Sequence, residues 1–211
     1  MRFSRLSCLW ILPSCALLVL ALWTEPAGAQ VMELSVGITP NCPYGLKACW
    51  AGAHEALGRI EGVKSVAITP DSFNCTATIR INGDGLPDPD TWASQFKSRV
   101  DQAYLFRGVE VTVQGTLQGE GENLTLRVPG VDQPIRLLPL NNKLQWNFKK
   151  SAARQPEPDE RDALKQLANR RNEDKEATYQ VQVTGPLKKG DKGYVVEVRE
   201  FFTMKVDRKN Q

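Results

Sequence analysis

Between Leu34 and Val66 the hydrophobic period changes from two to 3.6, and the change falls on a loop that carries cysteines. Leu34, Val36 and Ile38 alternate with Ser35, Gly37 and Thr39, which is the period of a half-buried strand. Cys49, Ala53, Leu57 and Ile60 then recur at helical spacing. Gly62 stands where a helix stop needs a left-handed residue, and a second strand is expected at once from Val63 to Thr69. A strand, a cysteine loop, a helix and a strand in so short a stretch leave few arrangements open to the neighbouring segments.

The next segments extend this pattern. Phe73 to Ile81 reads as a third strand, joined to the second through the turn sequence Pro70-Asp71-Ser72. Asn82-Gly83-Asp84-Gly85 and Pro87 end it. Asp90 or Thr91 is placed to cap a helix whose apolar positions are Trp92, Phe96, Val100 and Ala103. Val109 to Val113 alternates as a strand. The order βαββαβ is that of the ferredoxin-like motif, over roughly residues 30–114.

The segments GIT and CWAGAHEALGRIEGVKSV carry a resemblance to the heavy-metal-associated domain of copper chaperones, mercury-binding proteins and metal-transporting ATPases. In that family a GMTCxxC loop leads into a helix ending ALxxLxGVxSV. The resemblance implies the same βαββαβ fold and a soft-metal site. Counting back from Leu57, Cys49 takes the place of the family's second cysteine. Leu46 takes the place of the first, and Cys42 lies further upstream, separated from Cys49 by six residues instead of two.

Two chemistries compete for the thiols. Cu(I) or Zn2+ favours thiolates, and a thiol in the first turn of a helix, as expected for Cys49, has its pKa lowered by the helix dipole. Cys42, Cys49 and Cys75 are then the candidate metal ligands. In a ferredoxin-like sheet the end of the first strand lies near the start of the third, so Cys75 is expected close to the cysteine loop. Alternation places it with Phe73, Ala77, Ile79 and Ile81 on the helix-covered face. The same three cysteines are candidates for a structural disulfide, with a bridge from Cys75 to Cys49 or Cys42 within reach and connectivity open. His54, the single histidine, follows Cys49 by five residues and is expected to face solvent.

Arg2 and Arg5, an apolar run from about Leu6 to Trp23, and Ala27-Gly28-Ala29 have the pattern of a secretory signal over residues 1–29, with a membrane anchor as the competing reading. Cleavage would remove Cys8, Cys15, Arg2, Arg5 and Glu25, taking the formal charge from +3 to +2. The exported chain is then expected in a periplasm or outside the cell, with no membrane span and no electrostatic footprint for nucleic acid. Asn74-Cys75-Thr76 and Asn123-Leu124-Thr125 match the glycosylation pattern and count only in a eukaryotic source.

In the second half, Val109 to Leu117, Asn123 to Val128 and Pro134 to Leu138 read as strands with glycine turns between them. Lys143 to Phe148 offers a further apolar edge or strand, and a charged helix is expected at about 157–173, with Ala163, Leu164, Leu167 and Ala168 apolar. Thr178 to Thr184 and Gly193 to Phe202 complete the set, joined through Gly185-Pro186 and a lysine-glycine turn. Three strands, a helix and two strands is the order of an OB-like barrel, and VTVQGTL and YQVQVTGPL resemble paired strands of bacterial exported OB-fold proteins. Residues 109–117 are demanded by both halves. Either one long strand serves both, or one assignment fails. Trp146 and Tyr179, with Phe148 and Tyr194, are candidate stacking platforms against a reading as core and rim packing.

No serine stands in a nucleophile elbow, no glycine loop cradles phosphate, and the loop aspartates lack calcium-loop spacing. The sequence thus reads as a non-catalytic α+β protein, with a ferredoxin-like domain over 30–114 and an OB-like barrel over 115–211. Its expected role is soft-metal binding. The alternative is an interaction module for an envelope protein partner, locked by a disulfide and holding no metal.

Overall fold

The sequence from Val31 to Pro40 forms β1, whose alternation buries Leu34, Val36 and Ile38. The computed structural model describes residues 31–83, 85–121, 123–173 and 178–206; the signal-like segment 1–29 lies outside them. It is a mixed α+β protein, with eleven strands and four helices among these residues. None of these helices is long and apolar enough to cross a membrane.

After β1 come α1 (Gly45–Ala48), α2 (Trp50–Gly58), β2 (Val63–Val66), β3 (Thr76–Ile81), α3 (Pro89–Val100) and β4 (Tyr104–Gln118). These strands lie in the order β4-β1-β3-β2, each antiparallel to its neighbour. Ala53, Ala56 and Leu57 of α2 and Trp92 and Phe96 of α3 share one core with the inward side chains of β1, β3 and β4. Phe96 is fully enclosed and meets Tyr104 and Phe106 ring to ring.

Three local expectations are corrected. The loop expected between Cys42 and Cys49 holds a short helix, α1, which meets the expected helix, α2, at Cys49. The third strand begins at Thr76 and not at Phe73, because the Asp71 carboxylate accepts hydrogen bonds from the backbone N–H groups of Phe73 and Asn74 and closes a turn. Cys75 leaves that turn with φ 52°, so alternation does not extend back through it, and Phe73 is exposed instead of lying on the core face. α3 is capped by Asp88 and not by Asp90 or Thr91: its carboxylate accepts from Asp90 N at 3.1 Å and Thr91 N at 3.2 Å, with Pro89 in the first turn.

The second half adds β5 (Thr125–Arg127), β6 (Ile135–Pro139), the short pair β7 (Trp146–Asn147) and β8 (Ala152–Ala153), α4 (Pro158–Glu173), β9 (Thr178–Gly190), β10 (Gly193–Val198) and β11 (Glu200–Val206). β4, β5, β6, β10 and β9 pair in a ring, with β6 and β10 parallel and every other pair antiparallel. Leu117, Leu126, Ile135, Leu137, Val181 and Val196 fill it, and Ala163, Leu164 and Leu167 of α4 join the same core. Gly185-Pro186 is not a turn: β9 runs through it to Gly190. Proline is tolerated there because residues 185–186 face the break between β10 and β11, where the register shifts from Val196 opposite Leu187 to Glu200 opposite Thr184.

The double demand on residues 109–117 is met by one strand. β4 is fifteen residues long, and over Val109–Val113 it pairs with β1 on one edge and β9 on the other. The expected boundary after residue 114 therefore falls inside β4.

Candidate functional site at the cysteine end

β1 delivers the cysteine loop to one end of its sheet, and the pairing of Gly37 with Thr76 brings the start of β3 beside it. The sulfurs of Cys42 and Cys49 lie at disulfide distance, with both residues half-buried. Their loop is held from outside as well. The Tyr104 hydroxyl donates to the Cys49 carbonyl, and the Trp50 indole N–H donates to the Ile68 carbonyl at 2.7 Å. Leu46, in the place of the family's first ligand, is a core residue.

Cys75 is the free cysteine among the described residues and is fully buried. Its thiol lies 3.8 Å from the Ser72 carbonyl. Burial pushes the thiol's pKa up, and the nearby Arg107 and Arg154 only partly offset that. A thiol held neutral is a poor ligand and a poor nucleophile. Its carbonyl accepts from Ile38 N at 2.9 Å and from Arg107 Nη2 at 2.8 Å. His54 lies on α2, half-buried with its ring edge-on to Trp50, 5.7 Å between centroids. Among the described residues no three His, Cys, Asp or Glu side chains are grouped as a metal site.

Sequence reasoning missed Arg107. The segment linking β6 to α4, which contains β7 and β8, forms a strap whose Leu144, Gln145 and Trp146 lie against Gly37, Glu110 and Arg107 of β1 and β4. A Cβ on Gly37 would come within 2.7 Å of Leu144 Cδ1 and 2.9 Å of Arg107 Nη2, so a larger residue there would push both side-chain ends aside. Arg107 pins the strap: Nε and Nη2 donate to the Leu144 carbonyl at 3.3 and 2.8 Å, Nη1 donates to the Thr39 hydroxyl, and the guanidinium lies 5.4 Å from the Trp146 ring centroid. Burial lowers its pKa to about 10. Isolated glycines inside strands, here the paired Gly37 and Gly108, were the available signal for such a close approach.

Arg107→Ala is expected to remove charged hydrogen bonds and leave the buried Leu144 carbonyl unmet, costing about 2–3 kcal/mol. Urea unfolding measures the loss. Faster hydrogen exchange at the Trp146 amide, which donates to Asn74 O at 2.9 Å, would locate it in the strap.

The stacking candidates fall on different elements. Trp146 belongs to the strap with Arg107 over its ring, and Tyr179 lies in β9 opposite Lys205. A groove of about 560 Å3 opens between α3, β4 and β9, away from the cysteine pair. Its cations are already engaged, Lys188 with Glu197, Lys189 with Asp88 and Lys143 with Glu160. Comparison with family models, curated proteins and solved structures finds no match.

Proposed function

We propose that the chain is a non-catalytic interaction module of the cell envelope or exterior, in which a disulfide locks the loop that the heavy-metal-associated family uses for metal. The observation that carries this reading is the joining of Cys42 to Cys49 while Cys75 stays buried and free. A sulfur in a disulfide has no thiolate to offer a metal, so metal binding would require both to be reduced. The order β4-β1-β3-β2 with two helices on one face supports a ferredoxin-like unit. The five-strand ring, with α4 between its third and fourth strands in chain order, supports an OB-like barrel.

A thiol count by alkylation and mass spectrometry, without reductant, on the chain from Gln30 onward, which lacks Cys8 and Cys15, tests the reading. One thiol is expected, reactive only after unfolding because Cys75 is enclosed. Cu(I) and Zn2+ are expected to bind no tighter than to a Cys42→Ser/Cys49→Ser variant. Three free thiols protected by one equivalent of metal would establish the soft-metal reading instead, with Cys42, Cys49 and Cys75 as ligands. The double serine variant is expected to lose about 2–3 kcal/mol of stability, since the closed loop is short. Denaturant midpoints with and without reductant should differ for the parent and coincide for the variant.

A further inference from the structure

Three large apolar side chains stand almost fully in water at the cysteine end: Tyr44 is 81% exposed, Ile68 85% and Phe73 72%. Scattered exposed apolar residues are ordinary, but a group of this size at one end marks a contact surface. Their grouping follows from topology. Tyr44 lies in the loop closed by Cys42 and Cys49, and Ile68 and Phe73 lie in the loop from β2 to β3, which the antiparallel pairing of β1 with β3 sets beside it.

These side chains are held out by built loops. The Trp50 indole fixes the backbone at Ile68, and the Asp71 carboxylate fixes the turn at Phe73. The Arg154 guanidinium lies 3.7 Å from the Phe73 ring centroid and donates to the Phe73 carbonyl. Rigid presentation removes the ordering cost that a mobile loop would meet on contact.

Exposed lysines lie beside the tip as a partial collar. The Phe148 ring lies 3.5 Å from where a Cβ on Gly45 would stand, and Trp146 N donates to Asn74 O. Both contacts place the β7–β8 turn, with exposed Lys149 and Lys150, beside the cysteine loop and its exposed Lys47. The acid in the β2–β3 loop, Asp71, has its carboxylate engaged in its own turn.

We propose that this end docks on a bilayer bearing acidic headgroups, with Tyr44, Ile68 and Phe73 entering the interface and the lysines facing the headgroups. Apolar tips suit the acyl boundary and a lysine collar suits a negative surface potential, so the two features fit one occupant. This names a partner for the interaction module and rests on that reading. The thiol count and vesicle binding have separate readouts, so either can fail alone.

The test is cosedimentation with phosphatidylcholine vesicles and with vesicles in which about one third of the lipid is phosphatidylglycerol. The chain is used from Gln30 onward, because the apolar run near its N-terminus would bind lipid by itself. Among the described residues every buried core residue lies between Leu34 and Val198, so this part carries the fold. The expected result is binding to the acidic vesicles at least about tenfold stronger than to the neutral ones, weakening as salt is raised. Tyr44→Ser/Ile68→Ser/Phe73→Ser is expected to lose about tenfold or more, with an unchanged melting temperature. Lys149→Glu/Lys150→Glu is expected to lose the preference for acidic lipid. Phe202→Ser/Met204→Ser, at the exposed apolar residues of β11, is expected to bind as the parent does. Absence of parent binding to acidic vesicles, retention of binding by the triple variant, or an equal loss in the β11 variant would overturn the proposal.

Discussion

Arg199→Ala is expected to lower folding stability by about 3–5 kcal/mol at neutral pH, because it strands a buried carboxylate. Arg199 occupies the break between β10 and β11. Its Nε donates to Glu110 Oε2 and its Nη2 to Glu110 Oε1, both at 3.1 Å, and Nη2 also donates to Glu200 at 3.0 Å. Glu160, in the first turn of α4, lies 3.7 Å away and takes Lys143 on both oxygens at 2.7 Å. One guanidinium thus ties β4, the end of the barrel, α4 and, through Gln145 on Glu110, the strap. Without it, the Gln145 amide is the side-chain donor left to Glu110 among the described residues.

The pH dependence gives this loss a signature. Burial raises the Glu110 pKa, and Arg199 opposes the shift without cancelling it. Burial also works against the charge on Arg199, but Glu110, Glu200 and Glu160 together outweigh it and raise its pKa. A carboxyl whose folded pKa is raised binds more protons in the native state than in the unfolded one. Its contribution to stability is therefore present in acid and lost as pH rises through the folded value. Removing Arg199 strengthens that trend. Urea unfolding at pH 7 and near pH 4 should find the variant's deficit largest at pH 7 and reduced in acid, where Glu110 is neutral. Glu110→Gln in the Arg199→Ala background should recover most of the loss. An equal deficit at both pH values, with no recovery in the double variant, would mean that Arg199 acts through packing alone.

Periodicity in the sequence carried the elements whose burial is local. Leu34, Val36 and Ile38 alternate because the helices cover one face of β1, and Ala163, Leu164 and Leu167 fall on the single buried stripe of a charged helix. The demand of both halves on residues 109–117 was also legible, since a strand paired on two edges still alternates. What periodicity could not carry were positions decided by partners distant in sequence. Cys75 turns away from the strand pattern because a side-chain carboxylate four residues earlier builds a turn. Pro186 looked like a stop because nothing local reveals that the neighbouring strand breaks opposite it. Arg107 and Arg199 are single charged residues whose partners lie 32, 37 and 89 residues away in the chain. For the cysteines, composition supplied the candidates. The Cys42–Cys49 pairing appeared only when the loop between β1 and α1 was placed in space.

The strand shared by both halves implies that they stand or fall together. Val111→Asp is expected to leave the whole chain unfolded, a loss of more than about 5 kcal/mol, because an unpaired carboxylate would enter the core at a fully paired position. Val111 is 1% exposed, opposite Leu34 of β1 on one edge and Gly185 of β9 on the other. The milder Val111→Ala, costing about 2 kcal/mol, keeps the argument testable if the aspartate variant cannot be recovered. Two probes separate the halves. In a Trp146→Phe form of the chain from Gln30 onward, emission from Trp50 and Trp92 reports the helices packed on β1 and β4, and amide exchange at Val195–Val198 reports the barrel. If β4 couples them, both probes shift to lower denaturant by the same amount, and the parent's two transitions coincide. Barrel amides that stay protected while the tryptophans report unfolding would refute the coupling. Val109, Val111 and Val113 would then be two packing surfaces that share a backbone but not a folding transition.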